Sequence, residues 1–170
     1  EVMLHIPMEP LGYPHDDPGP RALFVGDSRE EVERKLSLML EQTPQARGAN
    51  NHMGSRATGD CALMSWTMSF LYGRGLYFVD SRTVAVSCAL SEARRHRLPS
   101  EGRDVFLDNQ DDYEYISRRF EELKASALEQ GTAVGVGHVH SRNLPLVLQR
   151  ELPLLESRDL SLVFVSEVVR

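Results

Sequence analysis

Apolar, β-prone runs fall at Leu76–Val79, Val105–Leu107, Ala133–Val136 and Leu160–Val165, with starts about 28 residues apart. Helical patterns fill the gaps, so the apolar period switches between two and 3.6 along the chain. Two earlier strands are predicted, Val2–Ile6 and a weaker one over Arg47–Asn50, which makes six. The first helix is announced by Ser28 with Glu31 three residues on, a capping-box spacing. Val32, Leu36, Met39 and Leu40 follow on one face and Pro44 stops it. A second helix is predicted over 60–72, ending at Gly73 and Gly75, and a third over 85–97, ending before Pro99. The fourth carries Ile116, Phe120, Leu123 and Ala127 and stops at Gly131. The fifth lies between Leu144 and Leu155, with Pro145 in its first turn and Pro153 closing it.

Strand and helix in strict alternation predict an α/β fold with a parallel sheet. An open doubly wound sheet and a closed barrel both satisfy the pattern. The nucleotide-binding version of the former is disfavoured, because Gly135-Val136-Gly137 continues as His138-Val139-His140 and lacks the third glycine. Between Met8 and Asp27 the chain carries Pro10, Gly12, Pro14, Pro18, Gly19 and Pro20. This predicts a long loop at 10–27, and ordered loops of that length usually serve function.

Composition narrows the class. The 170 residues are 41% hydrophobic and 26% charged, as expected of one globular domain spanning 1–170. The net charge of −6 disfavours a nucleic-acid partner. No apolar run reaches the ~18 residues of a membrane span, and no signal peptide is present. Glu1 leads straight into an apolar strand, so the chain reads as a fragment or processed form of something longer. Cys61 and Cys88 are not in a CxxC spacing and are expected to be two free, partly buried thiols.

The reactive side chains cluster at predicted strand ends. His5 follows Val2–Leu4; Asn50, Asn51 and His52 follow the weak second strand; Asp80, Ser81 and Arg82 follow Leu76–Val79. Asp108 and Asn109 follow Val105–Leu107, and His138 and His140 follow Ala133–Gly137. In parallel βα folds the C-terminal strand ends share one face, which carries the chemistry. Each candidate has a plainer alternative. His5 alone fits a buried histidine bonded to a carbonyl, Glu9 an exposed loop carboxylate, and Asp80 or Asp108 a helix N-cap. Taken together, imidazoles and carboxylates at one face fit a divalent metal with an activated water, a carboxylate base and a histidine acid. The chain has no GxSxG elbow and no cysteine dyad, which disfavours a serine or thiol nucleophile.

The segments Leu4–Pro10 (LHIPMEP), Asn50–Arg56 (NNHMGSR), Asp80–Thr83 (DSRT), Phe106–Asn109 (FLDN) and Gly137-His138 resemble the divergent polysaccharide deacetylase family, in order along nearly the whole chain. The resemblance implies a distorted (β/α) barrel of seven or eight strands, the first one or two upstream of Glu1. It also implies a hydrolase that removes N-acetyl groups from an amino-sugar polysaccharide. A divalent metal, commonly zinc, would be held by one aspartate and two histidines. His5 matches the first metal histidine, and Val136-Gly137-His138 matches the motif of the acid histidine. Two departures stand out: the paired aspartates of the family are expected upstream of Glu1, and Glu9 stands where the second metal histidine belongs. His52 is the expected substitute. The resulting assignment gives His5 and His52 to the metal, Asp80, Glu9 and His138 to catalysis, and Asn51, Arg82 and His140 to substrate. The family also implies an extracytoplasmic, cell-envelope location. A glycan-binding protein that kept the cleft and lost the chemistry is the alternative.

Overall fold

In the computed structural model, which describes residues 1–170, the chain divides into two compact units. One is Glu1–Gly102 with Val169–Arg170, the other Arg103–Val168. All strand pairs are parallel, and helices connect most consecutive strands, which is the predicted α/β class.

The first unit holds a four-stranded sheet in the order β1-β2-β3-β4, formed by β1 (Val2–Met8), β2 (Ala46–Met53), β3 (Tyr77–Asp80) and β4 (Ser100–Gly102). Its helices are α1 (Arg29–Gln42), α2 (Cys61–Gly73) and α3 (Ala89–Arg95). Alternation sorts the sheet's faces. Leu4, Ile6 and Met8 of β1, Ala49 of β2 and Phe78 of β3 are buried in one core with Val32, Leu36, Leu63, Met68 and Leu71 of the helices. The opposite face carries His5 and Asn50, which are register partners, and His52 two residues further on.

Local signals hold where they were strong. Ser28 Oγ accepts from the Glu31 N–H and caps α1. Asp60 caps α2 by accepting from the N–H groups of Ala62 and Leu63. Three secondary-structure expectations change in this unit. The weak strand at 47–50 is eight residues long and pairs on both sides. Its sequence looks poor for a strand because one face is polar and Gly48 lies under the Tyr77 ring, where a Cβ would come 2.2 Å from a ring carbon. β4, with the polar sequence Ser-Glu-Gly, carries no hydrophobic signature and was not expected. The third helix begins at Ala89, not Ala85, because the residues before it are bonded elsewhere. Ser87 Oγ donates to Asp80 and accepts from Ala89 N–H, and the Cys88 N–H goes to Thr58 O.

Cys61 and Cys88 are not free thiols: they form a disulfide, with Cα atoms 5.2 Å apart, joining the first residue of α2 to the N-cap of α3. They are 27 positions apart in sequence, and only the tertiary fold brings them together. The loop at 10–27 is tied back to β1. Glu9 N–H donates to Leu23 O, Leu23 N–H donates to Pro7 O, and Ala22 and Leu23 are fully buried.

The second unit pairs β5 (Val105–Phe106) with β6 (Gly135–Val136) and packs α4 (Tyr113–Gln130) and α5 (Leu144–Glu151) around Val105, Leu107, Ile116, Phe120 and Val147. Gly131 ends α4 with a φ of 86°, where glycine carries no steric cost. The expected strand over Leu160–Val165 does not form. Leu162, Val163 and Phe164 are exposed, and Val165–Glu167 is a 3-10 turn. A β-prone run becomes a strand only where a neighbour accepts its ladder bonds, and this run joins neither sheet. No helix of the chain is long and apolar enough to cross a membrane.

Candidate functional site

In the first unit the polar side chains converge where β1, β2 and β3 run out. His5 lies within β1, three residues before its last residue and not at a strand terminus; its ring is exposed. His5 Nδ1 is 2.9 Å from Asn50 Oδ1, directly across the ladder. The Asn50 amide is oriented by its Nδ2, which donates to Ser81 Oγ at 3.3 Å, while Ser81 Oγ donates to Asn51 O at 2.8 Å. This chain makes Asn50 Oδ1 the acceptor, so His5 carries its proton on Nδ1 and its Nε2 lone pair is left for another partner. The His52 ring meets that of His5 edge-on, centroids 4.9 Å apart. The two proposed metal histidines are therefore neighbours. Asn50 and Ser81 were named at the strand ends from the sequence but given no role there; the alternation of Asn50 with His52 was the signal for Asn50.

The remaining candidates of this unit are engaged in shaping it. Asn51 is buried; its Nδ2 donates to Met53 O and its Oδ1 accepts from Ser81 N–H, so it joins the exits of β2 and β3. Asp80 is buried at the end of β3, on the face shared with Phe78. Its oxygens accept from Arg82 N–H at 2.8 Å and from Ser87 Oγ at 2.9 Å. It closes a turn and caps no helix. Glu9 is no exposed loop carboxylate: its side chain is 6% exposed, accepting from Arg56 Nη1 at 2.9 Å and Val25 N–H at 2.7 Å. Arg82 is exposed, with φ of 48°, beside a cavity of about 450 Å³ that Asp80, Thr83 and Ser87 also line. Tyr77, with its hydroxyl on Glu1 Oε2, has its phenol pushed up to about 12, first by burial and then by the Glu1 charge.

In the second unit Asp108 holds His138 twice. Its Oδ2 accepts from the His138 N–H at 2.7 Å, and its Oδ1 is 3.1 Å from His138 Nδ1. The carboxylate is 1% exposed and the imidazole 42% exposed, so a buried anchor fixes an accessible ring. His138 lies between Phe106, at 5.1 Å, and His140, which stacks on it at 4.8 Å. Asp108 is not the N-cap of α4; Asp112 is. Asp111 holds the next turn, accepting from the N–H groups of Asn143 and Arg142 and from Ser141 Oγ. Those bonds, the Asn143 N–H first, bring the Asp111 carboxyl down to about 2.

A tetrahedral catalytic zinc takes three protein ligands and keeps a position for water. His5 and His52 supply two imidazoles, and the Asn50 bond is the outer-sphere support that a ligating histidine usually has. No group of three or more His, Cys, Asp or Glu side chains in the structure is arranged to hold a metal ion. Two neighbouring imidazoles fall short of the three protein ligands such a site takes.

The divergent polysaccharide deacetylase family matches residues 1–169. The chain belongs to that family. An uncharacterized protein of Haemophilus influenzae (strain ATCC 51907 / DSM 11121 / KW20 / Rd) is 32% identical over 170 residues, all of this chain and 59% of that protein. The uncharacterized protein YibQ of Escherichia coli (strain K12) is 30% identical over 169 residues, 99% of this chain and 52% of its own length. The chain therefore spans between half and three-fifths of these two relatives. The crystal structure of an uncharacterized protein from Agrobacterium tumefaciens C58 superimposes with a TM-score of 0.95 at 28% identity, covering 99% of this chain and 68% of that one.

Proposed function

We propose that this family member is the greater part of a metal-dependent deacetylase that hydrolyses N-acetyl groups of an amino-sugar polysaccharide, on the distorted (β/α) barrel the resemblance implies. The observation that carries the reading is the His5–His52 pair with its Asn50 brace, in a chain of this family. His5 and His52 would hold a divalent ion, most simply zinc, with a carboxylate ligand from outside residues 1–170. When bound, such an ion supplies a water that ionises near neutral pH and an electrophile for the acetyl oxygen.

The residues of the chain do the rest. Asn50 keeps the His5 ring in one orientation and one tautomer, so its donor atom is fixed before substrate arrives. Asp108 holds the His138 ring in one orientation through Nδ1, and His138 would act as the acid in its doubly protonated form, its Nε2–H going to the departing amine and its Nδ1–H staying on Asp108. Glu9 and Asp80 remain candidates for the base, each with both oxygens already bonded. Asn51 fixes the strand exits beside the acetyl site, and His140 offers a ring beside His138 for the sugar. The disulfide supports an extracytoplasmic location, because such bonds persist in oxidising compartments.

The test is metal content and acetate release of the full-length protein, with His5→Ala and His52→Ala beside it. Near-stoichiometric divalent metal lost in both variants, with acetate released from N-acetylated amino-sugar oligomers, supports the reading. A folded protein that takes up no metal would sink it. A second reading, a glycan-binding protein without chemistry, is favoured by one observation: Glu9, at the family's second metal-histidine position, is consumed by Arg56 and Val25. Glycan binding without metal would select it.

A further inference from the structure

The segment that leaves β3 is fastened at its far end beside the disulfide. At the near end Thr83 Oγ1 donates to Met53 O. At the far end Ser87 Oγ donates to Asp80 Oδ2 at 2.9 Å and accepts from Ala89 N–H at 3.1 Å. The next residue, Cys88, is bridged to Cys61. Between these ends Val84 is half-buried, while Ala85 and Val86 are exposed. Asp80, Thr83, Val84, Ala85, Ser87 and Leu90 line the cavity of about 450 Å³. One wall of that cavity is therefore a short span whose far anchor lies one residue from the bridge.

The bridge is not what docks its two helices. α2 and α3 bury Leu63, Met64, Met68, Ala89 and Ala93 in one core, and the Cys88 N–H donates to Thr58 O, a bond that does not need the sulfurs joined. Cutting the S–S bond thus leaves the helices packed and loosens the junction at residues 83–88, where the Ser87 hydroxyl orients Asp80. Cys61 is exposed at the first residue of α2, so soluble thiols and disulfides reach the bridge without unfolding. We propose that the Cys61–Cys88 bridge is a redox switch on the Asp80 cavity. Oxidised, it fixes Ser87 against Asp80 and holds the cavity wall; reduced, it releases both. The step is thiol–disulfide exchange with an external disulfide. One cysteine thiolate attacks that disulfide, the second displaces it from the mixed disulfide, and the external partner leaves as two thiols. Two electrons pass to the partner, and its thiolates take up the two protons that the cysteines lose. A dithiol runs the step backwards. This inference rests on the deacetylase reading and adds its regulation: the site is firm in an oxidising compartment and slack in a reducing one.

The test compares the full-length protein in dithiothreitol with the same protein reoxidised by glutathione disulfide. Thiol alkylation reads the bridge, hydrogen exchange reads the loop, and acetate release from N-acetylated amino-sugar oligomers reads the site. Dithiothreitol should open the bridge while the amides of β1, β2 and β3 stay protected. Exchange of residues 83–88 should rise about tenfold and acetate release fall about tenfold, the loss expected when a bond to a carboxylate is released. Glutathione disulfide should restore both. Cys61→Ser/Cys88→Ser, assayed without reductant, should match the reduced form, which separates loss of the bridge from metal chelation by the dithiol. Ser87→Ala, which keeps the bridge, should release acetate slowly in both redox states. Full acetate release in the double serine variant, or equal release in the two states, would overturn the switch and leave the deacetylase reading standing. A bridge that opens only with loss of protection in β1, β2 and β3 would make it a staple and also overturn the switch. Acetate release in neither state would overturn the deacetylase reading and this control of it together.

Discussion

His5 Nδ1 and Asn50 Oδ1 lie 2.9 Å apart on paired positions of adjacent parallel strands, forty-five residues apart in sequence. The register sets this contact: once β1 and β2 pair, the two side chains have to project from the same face. Ser81, the residue after β3, then orients the Asn50 amide. Two paired strands and the exit of a third thus fix one imidazole.

Replacing Asn50 by Ala should leave both histidines in place and remove only the brace. Loss of such an outer partner usually weakens metal binding 10- to 100-fold. A competition titration with a zinc chelator, run on the full-length protein, should show that drop with the melting temperature nearly unchanged. Unchanged affinity would mean that the His5 orientation is irrelevant to the metal.

The disulfide makes a stability prediction. A bridge across 27 residues removes chain entropy from the unfolded state equivalent to about 3.5 kcal/mol. The double variant Cys61→Ser/Cys88→Ser should therefore unfold at clearly lower denaturant concentration, by roughly 2–4 kcal/mol. The loop from Arg82 to Ser87 enters α3 through Cys88, so its amides should also exchange hydrogen faster. Equal stability of the two proteins in chemical denaturation would count against a formed bridge.

Local chemistry was legible in the sequence and pairing was not. Ser28 and Gly131 mark helix ends through bonds to residues a few positions away, so their signals survive in isolation. β2 and β4 were faint or silent because what makes them strands is their neighbours: Gly48 accommodates Tyr77 and Gly102 accommodates Arg82. The converse failure is Leu160–Val165, which has strand composition and no partner strand. His5, His52, Asp80, Asp108 and His138 were named from the sequence, and Asp111 was not. Which of them are braced, as His5 and His138 are, and which are spent on turns, as Asp80 is, depends on bonds spanning from 2 to 45 positions.

Asp111 carries the pH dependence. Its carboxyl is lowered from the ordinary 3.8 to about 2 by bonds from Asn143, Ser141 and Arg142. A lowered folded pKa contributes stability that is present above the unfolded value and lost as pH falls through the folded one. The turn from Ser141 to Asn143 should therefore hold at pH 5 and loosen between about pH 4 and pH 2. Amide chemical shifts of Arg142 and Asn143 should titrate in that window, and Asp111→Asn should show the loosened shifts at pH 5.

Glu9 separates an anchoring role from a catalytic one. Its backbone and side chain join three segments: Glu9 N–H donates to Leu23 O, Glu9 O accepts from Arg56 and Ala57 N–H, and the carboxylate takes Val25 N–H and Arg56. The carboxylate is 6% exposed and the Arg56 side chain 53% exposed, so removing each end has unequal effects. Without the Arg56 side chain, water reaches the outer carboxylate oxygen while Val25 keeps the other, and Arg56→Ala should cost less than about 1 kcal/mol. Without the carboxylate, Val25 N–H loses its charged acceptor, and Glu9→Ala should cost about 2 kcal/mol and loosen residues 10–27. Glu9→Gln decides the role: an anchor should lose part of that stability and keep most deacetylase activity, since a neutral amide still accepts from Val25. A base would lose nearly all turnover in the same variant, because an amide cannot take a proton from water at neutral pH. Denaturant unfolding and acetate release measured on Glu9→Gln, Glu9→Ala and Arg56→Ala together distinguish the two. We expect the anchor.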